Sequence, residues 1–439
     1  MLAQYYDILK DLIKFKSIST DQQFAPEMMV TAKFLEKLFQ EHKRDVEVVT
    51  GYGNPIVLAS FTVNKKLPNC LLYGHYDVQF ADKGEWWKHD PFSLYLGKDK
   101  IYGRGVSDNK WQFLIHLVSL FELSKQNNLC YNVTVILEWE EEVGSAHLQQ
   151  FLLAYKDRLK ADIALVSDSD IIGDTPCIDA GYRGSCNAKL KLTTAHTDVH
   201  SGSYGGVFPN AIHEATILIS KLFDMNHRIT VPYFYYNVEK IDTDILIRNK
   251  KMKINVEKIQ TDFWVKALLT DKEFDYLTQV GLRPTIQITG IQGGYMGDGF
   301  KNAIPATSSI HLNFRLVKNQ RVDDVIKAFE QWVHTNMPEY VEYELSWVDK
   351  AEASKANMGS IYHKKAEKIL KEIFGKPVFY KYSWWTLPIV NLFTDILWTE
   401  SLLVPLANED CNMHGVNENM DIALVEKWLM FSHAFFAEK

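Results

Sequence analysis

An alternation constrains this chain more than any single residue does. Short β-branched or apolar runs at 55–61, 70–73, 133–137, 163–166 and 402–406 are separated by helical patterns such as 111–123. Strands alternating with helices imply an α/β sheet covered on both faces. Tyr5, Ile8, Leu9, Leu12 and Ile13 recur at helical spacing and predict an amphipathic helix over 2–15. Residues 26–39 predict a second helix with Pro26 in its first turn. The middle of the chain reads differently. Residues 186–193, 285–289 and 309–314 are strand-like, whereas 210–223 and 322–334 are helical. This is the pattern of an α+β insert with its own sheet, expected over 183–349. The first pattern resumes near Met358, so a split domain of 1–182 and 350–439 is expected around it. A chain of 439 residues has room for about two to four domains.

Composition closes off several function classes. Lys+Arg 48 against Asp+Glu 55 gives a formal net charge of −7, which argues against a nucleic-acid partner. No apolar run approaches the ~18 residues of a membrane span. Met1–Asp7 lacks a basic stretch followed by an apolar one, so no secretory signal is expected. Cys70, Cys130, Cys177, Cys186 and Cys411 are scattered, with no C-x-x-C, and read as free thiols of a reducing compartment. The expectation is a cytoplasmic protein without membrane or nucleic-acid partners.

The ends of the strand-like runs carry the chemistry, as they do in α/β proteins generally. The run at 70–73 leads into Gly74-His75-Tyr76-Asp77. The run at 133–137 leads into Glu138-Trp139-Glu140-Glu141-Glu142. The run at 163–166 leads into Ser167-Asp168, and that at 402–406 leads toward His414. Asp108 follows Gly103-Arg104-Gly105 and precedes the 111–123 helix. Two His and several carboxylates meeting at one sheet edge suit two divalent metals. Each residue alone has a plainer reading. Asp108 fits a helix N-cap, Asp168 a turn, and a run of glutamates a solvated face.

Gly74-His75-Tyr76-Asp77-Val78, Tyr102 to Asp108, Glu141-Glu142-Val143-Gly144-Ser145 and Val199 to Gly206 occur in that order. The series resembles the motifs of the M20 metallopeptidases, in particular the carnosinase-like cytosolic dipeptidase branch. Trp87-x-x-Asp90-Pro91-Phe92 and His414-x-x-Asn417-Glu418 extend the likeness over essentially the whole chain. The resemblance implies a split catalytic domain with a mostly parallel sheet and a di-metal site, plus an inserted lid and dimerisation domain. It implies that His75, Asp108 and Asp168 hold one metal, and Glu142, His414 and a bridging Asp108 the other. Asp77 would orient His75, and Glu141 would be the general base. Gly144-Ser145 anchors that register and leaves Glu140 without a role.

Amide hydrolysis near neutral pH suits this set, because a metal-bound water can have a pKa of about 7 and a carboxylate can relay its proton. The implied oxyanion donor is His200, acting from the inserted domain on a partner subunit; His196 lacks the flanking motif. Arg315 matches an Arg that grips the substrate carboxylate, with Asn302 and Thr386 at further substrate positions. The sequence departs from its relatives at Trp384 and Trp385, where glycines are usual, at Thr386, where Ser is usual, at Trp111 for Gly and at Asn109 for Asp. The expected function is a metal-dependent exopeptidase acting on dipeptides or small peptides as a homodimer. Its cofactors would be two divalent ions, with zinc first and manganese or cobalt as alternatives. Two other readings stand beside it: an N-acyl amino acid deacylase with the same centre, and an inactive binding protein of the same fold.

Overall fold

The computed structural model describes residues 1–82, 84–252, 254–271, 273–383 and 386–437. Trp384 and Trp385, singled out above, lie outside the described residues. The chain forms two compact units. The first comprises Met1–Ala180, Ala356–Lys381 and Ile389–Lys439; the second comprises Gly181–Lys355 and Tyr382–Pro388.

In the first unit, helix α1 (Leu2–Ile13) buries Tyr5, Leu9, Leu12 and Ile13, the face its spacing predicts. Helix α2 (Ala25–Glu41) starts with Pro26 in its first turn. There follow β1 (Asp45–Val49), β2 (Ile56–Phe61), β3 (Asn69–His75), α3 (Lys110–Lys125), β4 (Asn132–Glu138), α4 (Leu148–Leu159) and β5 (Ile163–Val166). After the insert come α5 (Ile361–Phe374), β6 (Ser401–Leu403) and α6 (Ile422–Phe436). The strands build one six-stranded sheet in the order β1-β2-β4-β3-β5-β6. β4, β3, β5 and β6 run parallel, whereas β1 and β2 join antiparallel. The sheet is thus mixed, and its parallel part carries the ligand-type residues.

Parallel strands need cover on both faces, and α3 supplies it from the core. It packs against β3, α1 and α6. Nearly every residue from Lys110 to Leu123 is buried, which is why the stretch shows no polar face in sequence. Trp111 is fully buried and meets Tyr5 edge to face with 6.3 Å between centroids. It is a core residue, and burial of so large a side chain stabilises by about 3 kcal/mol.

The second unit has its own four-stranded antiparallel sheet, ordered Thr285–Gly293, Thr307–Leu316, Gly184–Thr193 and Glu342–Ala351. The period-two alternation read at 186–193 is the burial pattern of that strand. Leu190, Leu192, Ile310, Leu312 and Phe314 form a core with Leu218 and Leu222 of helix Ala211–Leu222 and Phe329 and Trp332 of helix Val322–Asn336. Asn210 is the N-cap of the former, its side chain accepting from the amides of Ile212 and His213.

Candidate metal centre

Because β3, β4 and β5 are parallel, their C-terminal ends fall on one edge of the sheet. His75 is the last residue of β3. Glu141 and Glu142 sit in the short helical turn Glu141–Val143 after β4, which Gly144 ends with a left-handed φ of +91°. Asp168 follows β5, and Asp108 closes the loop before α3. His414, beyond β6, itself has a left-handed φ of +60°. The plainer readings of Asp108 and of the glutamate run do not hold. The N-cap residue of α3 is Asn109, with no side-chain cap, so Asp108 is free to point elsewhere. Glu140 is buried and grips the His147 ring at 2.7 Å, so the acidic run is not a solvated face.

The structure brings the five residues together in two overlapping groups. His75, Asp108 and Asp168 form one, and Asp108, Glu142 and His414 the other; within each, the potential ligand atoms all lie within 4.8 Å of one another. His75 Nε2 is 3.0 Å from Asp108 Oδ1 and 3.5 Å from Asp168 Oδ1. His414 Nε2 is 2.9 Å from Asp108 Oδ2 and 3.1 Å from Glu142 Oε2. Asp108 therefore turns one oxygen toward each imidazole. The side chain of His75 is fully buried, whereas that of His414 is 48% exposed. Glu141 Oε2 stands 4.0 Å from His75 Nε2.

These residues fit divalent cations. His75 Nδ1 faces the main-chain oxygen of Asp77 at 3.1 Å. A carbonyl only accepts, so Nδ1 carries a proton, and it is Nε2 whose lone pair a cation would take. That buried atom has no hydrogen-bond partner among the described residues, and carboxylate oxygens surround it. Lone pairs converging on one another call for positive charge. The electrostatics agree. At His75 burial opposes protonation, but the carboxylates of Asp168, Asp108 and Asp77 around the ring hold the pKa well above its ordinary value. Hydrogen bonds to Asp108 and Glu142 push His414 up to about 11. Burial, aided by Asp108, pushes Glu142 up to about 7, and burial also raises Glu141 and Asp168. Of this set the shared Asp108 is held well below the usual carboxylate range: burial opposes this, but the two imidazoles beside it prevail. The cluster has more negative charge than its own protons neutralise comfortably, and mixed imidazole and carboxylate donors suit zinc, manganese or cobalt.

Residues outside the ligand set hold it in shape. Asp77 meets His75 Nδ1 through its carbonyl at 3.1 Å and its Oδ1 at 3.2 Å, while its Oδ2 accepts from the Glu142 amide at 3.2 Å; it therefore touches both groups. Arg104 and Glu418 form a buried ion pair at 2.8 Å, and Arg104 also reaches the carbonyl of His414 at 3.4 Å. Beneath Asp168, buried Lys381 binds the carbonyl of Asp170 and its Oδ1 at 3.0 Å, with Asp179 Oδ1 at 3.5 Å. Sequence reasoning missed Arg104, Lys381 and Asp179. Their pairings span tens to hundreds of residues and leave no spacing signal; a charged residue inside an apolar run, as Lys381 is, was the only available hint.

The other named residues lie in the second unit. His200 ends a short strand, Val199–His200, paired with Ala303–Ile304. Its Nδ1 accepts from the Gly202 amide at 3.1 Å. A Cβ at Gly202 would stand 2.9 Å from that ring, so the approach requires glycine. The carbonyl of Asn302 accepts from the Ser201 amide at 3.0 Å, which places Asn302 beside His200. Arg315 Nη1 donates to Thr386 Oγ1 at 2.7 Å, joining two of the expected substrate residues.

A parallel sheet edge bearing two His/carboxylate triads, in a unit split by an α+β insert, defines a metallohydrolase architecture. Comparison with known proteins makes the class specific. Residues 181–341 match the model of the peptidase dimerisation domain of M20 proteins. A Beta-Ala-His dipeptidase of Rattus norvegicus is 28% identical over 84% of this chain and 76% of its own length. A Cys-Gly metallodipeptidase of Saccharomyces cerevisiae is 25% identical over 96% of this chain and 92% of its own. The structure of an M20 family metallo-carboxypeptidase from Sulfolobus solfataricus superposes with a TM-score of 0.87 at 27% identity, covering 98% of each chain. In sequence and in fold the chain is thus similar to M20 metallopeptidases, dipeptidases among them.

Proposed function

We propose that this protein is a two-metal exopeptidase that hydrolyses dipeptides or small peptides with a free C-terminal carboxylate. The observation that carries the reading is the pair of triads sharing Asp108. His75, Asp108 and Asp168 would hold one cation, and Asp108, Glu142 and His414 the other. Divalent ions there, zinc first, would polarise the scissile carbonyl and render a water molecule nucleophilic near neutral pH. Glu141 is the general base: its carboxylate takes the proton from that water and returns it to the leaving amine. Asp77 fixes the orientation of His75. His200 donates to the developing oxyanion. With Nδ1 engaged by Gly202, the neutral ring carries its proton on Nε2, the donor that role needs. Arg315 grips the substrate carboxylate as a planar fork, with Thr386 and Asn302 beside it.

The match of the second unit to a domain named for dimerisation supports a homodimer and a lid role for the insert. None of the five cysteines, all among the described residues, is in a disulfide, which supports a reducing, cytoplasmic location. Among the described residues no helix is long and apolar enough to cross a membrane. Relatives named for Beta-Ala-His and Cys-Gly substrates support a dipeptide. The test is hydrolysis of a panel holding β-Ala-His, Cys-Gly and N-acyl amino acids, before chelation, after it and with zinc restored. Dipeptide cleavage that disappears and returns is expected. Activity unchanged by strong chelation refutes the metal mechanism, and cleavage of acyl substrates alone refutes the substrate class.

A further inference from the structure

Each triad contains one carboxylate that is not shared, and each of these is fastened by a neutral carboxamide. Asn109 Nδ2 donates to Asp168 Oδ1 at 2.7 Å and to the Ser167 carbonyl at 2.6 Å. Its Oδ1 receives the His75 amide at 3.4 Å. The side chain is fully buried. Gln79 Nε2 donates to Glu142 Oε2 at 2.8 Å, the same oxygen that faces His414. Among the described residues Asp108 has no such amide; its oxygens face the two imidazoles.

We infer that Asn109 and Gln79 are positioning residues that set the affinities of the two cation positions independently, Asn109 for the His75/Asp168 position and Gln79 for the Glu142/His414 position. The inference rests on the two-metal reading above. The physical ground is the choice of group. A lysine or arginine here would neutralise the carboxylate that a cation needs, and an ionised acid would repel it. A carboxamide offers an N–H that fixes the orientation of the carboxylate while leaving its charge available. Loss of a group that orients a ligand typically lowers metal affinity 10–100-fold. Each amide touches one unshared carboxylate, so each loss should be felt at one position.

The experiment isolates the positions by removing one imidazole at a time. Zinc affinity is measured on the full chain by competition with a chelating dye. In a His414→Ala background, which leaves the first triad intact, Asn109→Leu should weaken the remaining zinc by about 10–100-fold, while Gln79→Met leaves it unchanged. In a His75→Ala background the two effects should exchange. If Asn109→Leu does not fold, Asn109→Ser, which withdraws the amide without adding bulk, carries the same expectation. A merely structural role would lower the urea midpoint of zinc-free protein and shift zinc affinity alike in both backgrounds; that result overturns the inference. So does the absence of any shift in a parent that binds two zinc ions. An otherwise native chain that takes up no zinc, cobalt or manganese refutes instead the two-metal reading beneath it.

Discussion

Replacing Glu418 with Gln tests whether one carboxylate holds the loop that carries Asp108. The side chain is fully buried. Its Oε2 accepts from Arg104 Nη1 at 2.8 Å and the Gly105 amide at 2.9 Å. Its Oε1 accepts from the Ser107 amide at 2.6 Å and the Asp108 amide at 3.0 Å. Burial raises the pKa of this carboxyl against the pull of Arg104, so the negative charge is a cost and the stabilisation comes from the four accepted hydrogen bonds. Gln has one oxygen, and its NH2 must face two of the four donors. A buried donor left without an acceptor costs about 1–3 kcal/mol, hence about 2–6 kcal/mol for two. Against a total stability of about 5–15 kcal/mol, that is a large loss. At a slope of about 3 kcal/mol per molar urea, the steep end of the usual range as suits a large chain, the midpoint of cation-free protein should fall by about 0.7–2 M. Buried Trp111 and Trp428 report the transition by fluorescence. Because Asp108 serves both triads, zinc titration should show both ions loosened together. A midpoint equal to that of the unaltered protein, or weakening of one ion alone, refutes the reasoning.

Glu141→Gln should retain both metals and lower kcat by about 10²–10⁴-fold; metal analysis showing an ion lost, with kcat per bound metal intact, would move the general base elsewhere. His200→Ala should spare metal binding and lower kcat by about 10²–10³-fold. If His200 acts across a dimer, mixing that variant with Asp108→Ala should restore part of the activity; a mixture as inactive as its components rules out action in trans. His116 gives a pH prediction. It is fully buried between the hydroxyls of Ser432 and Ser167, and burial pushes it down to about 3. The unfolded ring titrates near ~6.5, so as pH falls below that value the unfolded state takes up a proton that the folded state refuses. Stability is lost from there down to about pH 3, amounting to about 3 kcal/mol by pH 4.5. His116→Gln should flatten that part of the profile, and equal urea-midpoint slopes in the two proteins between pH 6.5 and 4.5 would refute the account.

The elements of the first unit were legible because burial dictates their patterns: near-continuous apolar strands beside parallel neighbours, and α1 with one apolar face. The candidate ligands His75, Glu142 and Asp168 were legible because each follows a strand, and parallel strands present their ends at one edge; Asp108 lies in the loop before α3 and lacks that signal. The mixed pairing of the sheet was not, since β2 reads as apolar in either direction. The role of Asp77 was visible only in outline. Its carbonyl and Oδ1 both face His75 while Oδ2 accepts from the Glu142 amide, and the second of these contacts depends on backbone direction. Asn109 showed in sequence only as a departure from Asp; that it donates to Asp168 follows from its rotamer in a closed interior. Arg104, Glu418 and Lys381 pair across great chain distances, and no local pattern encodes such meetings.

The unequal exposure of the two imidazoles would give ion exchange a direction. His75 is part of the interior, while His414 stands at the rim on a residue with left-handed backbone. If the two triads hold cations as proposed, the one beside His414 would meet solvent directly and trade places with its surroundings sooner than the one beside His75.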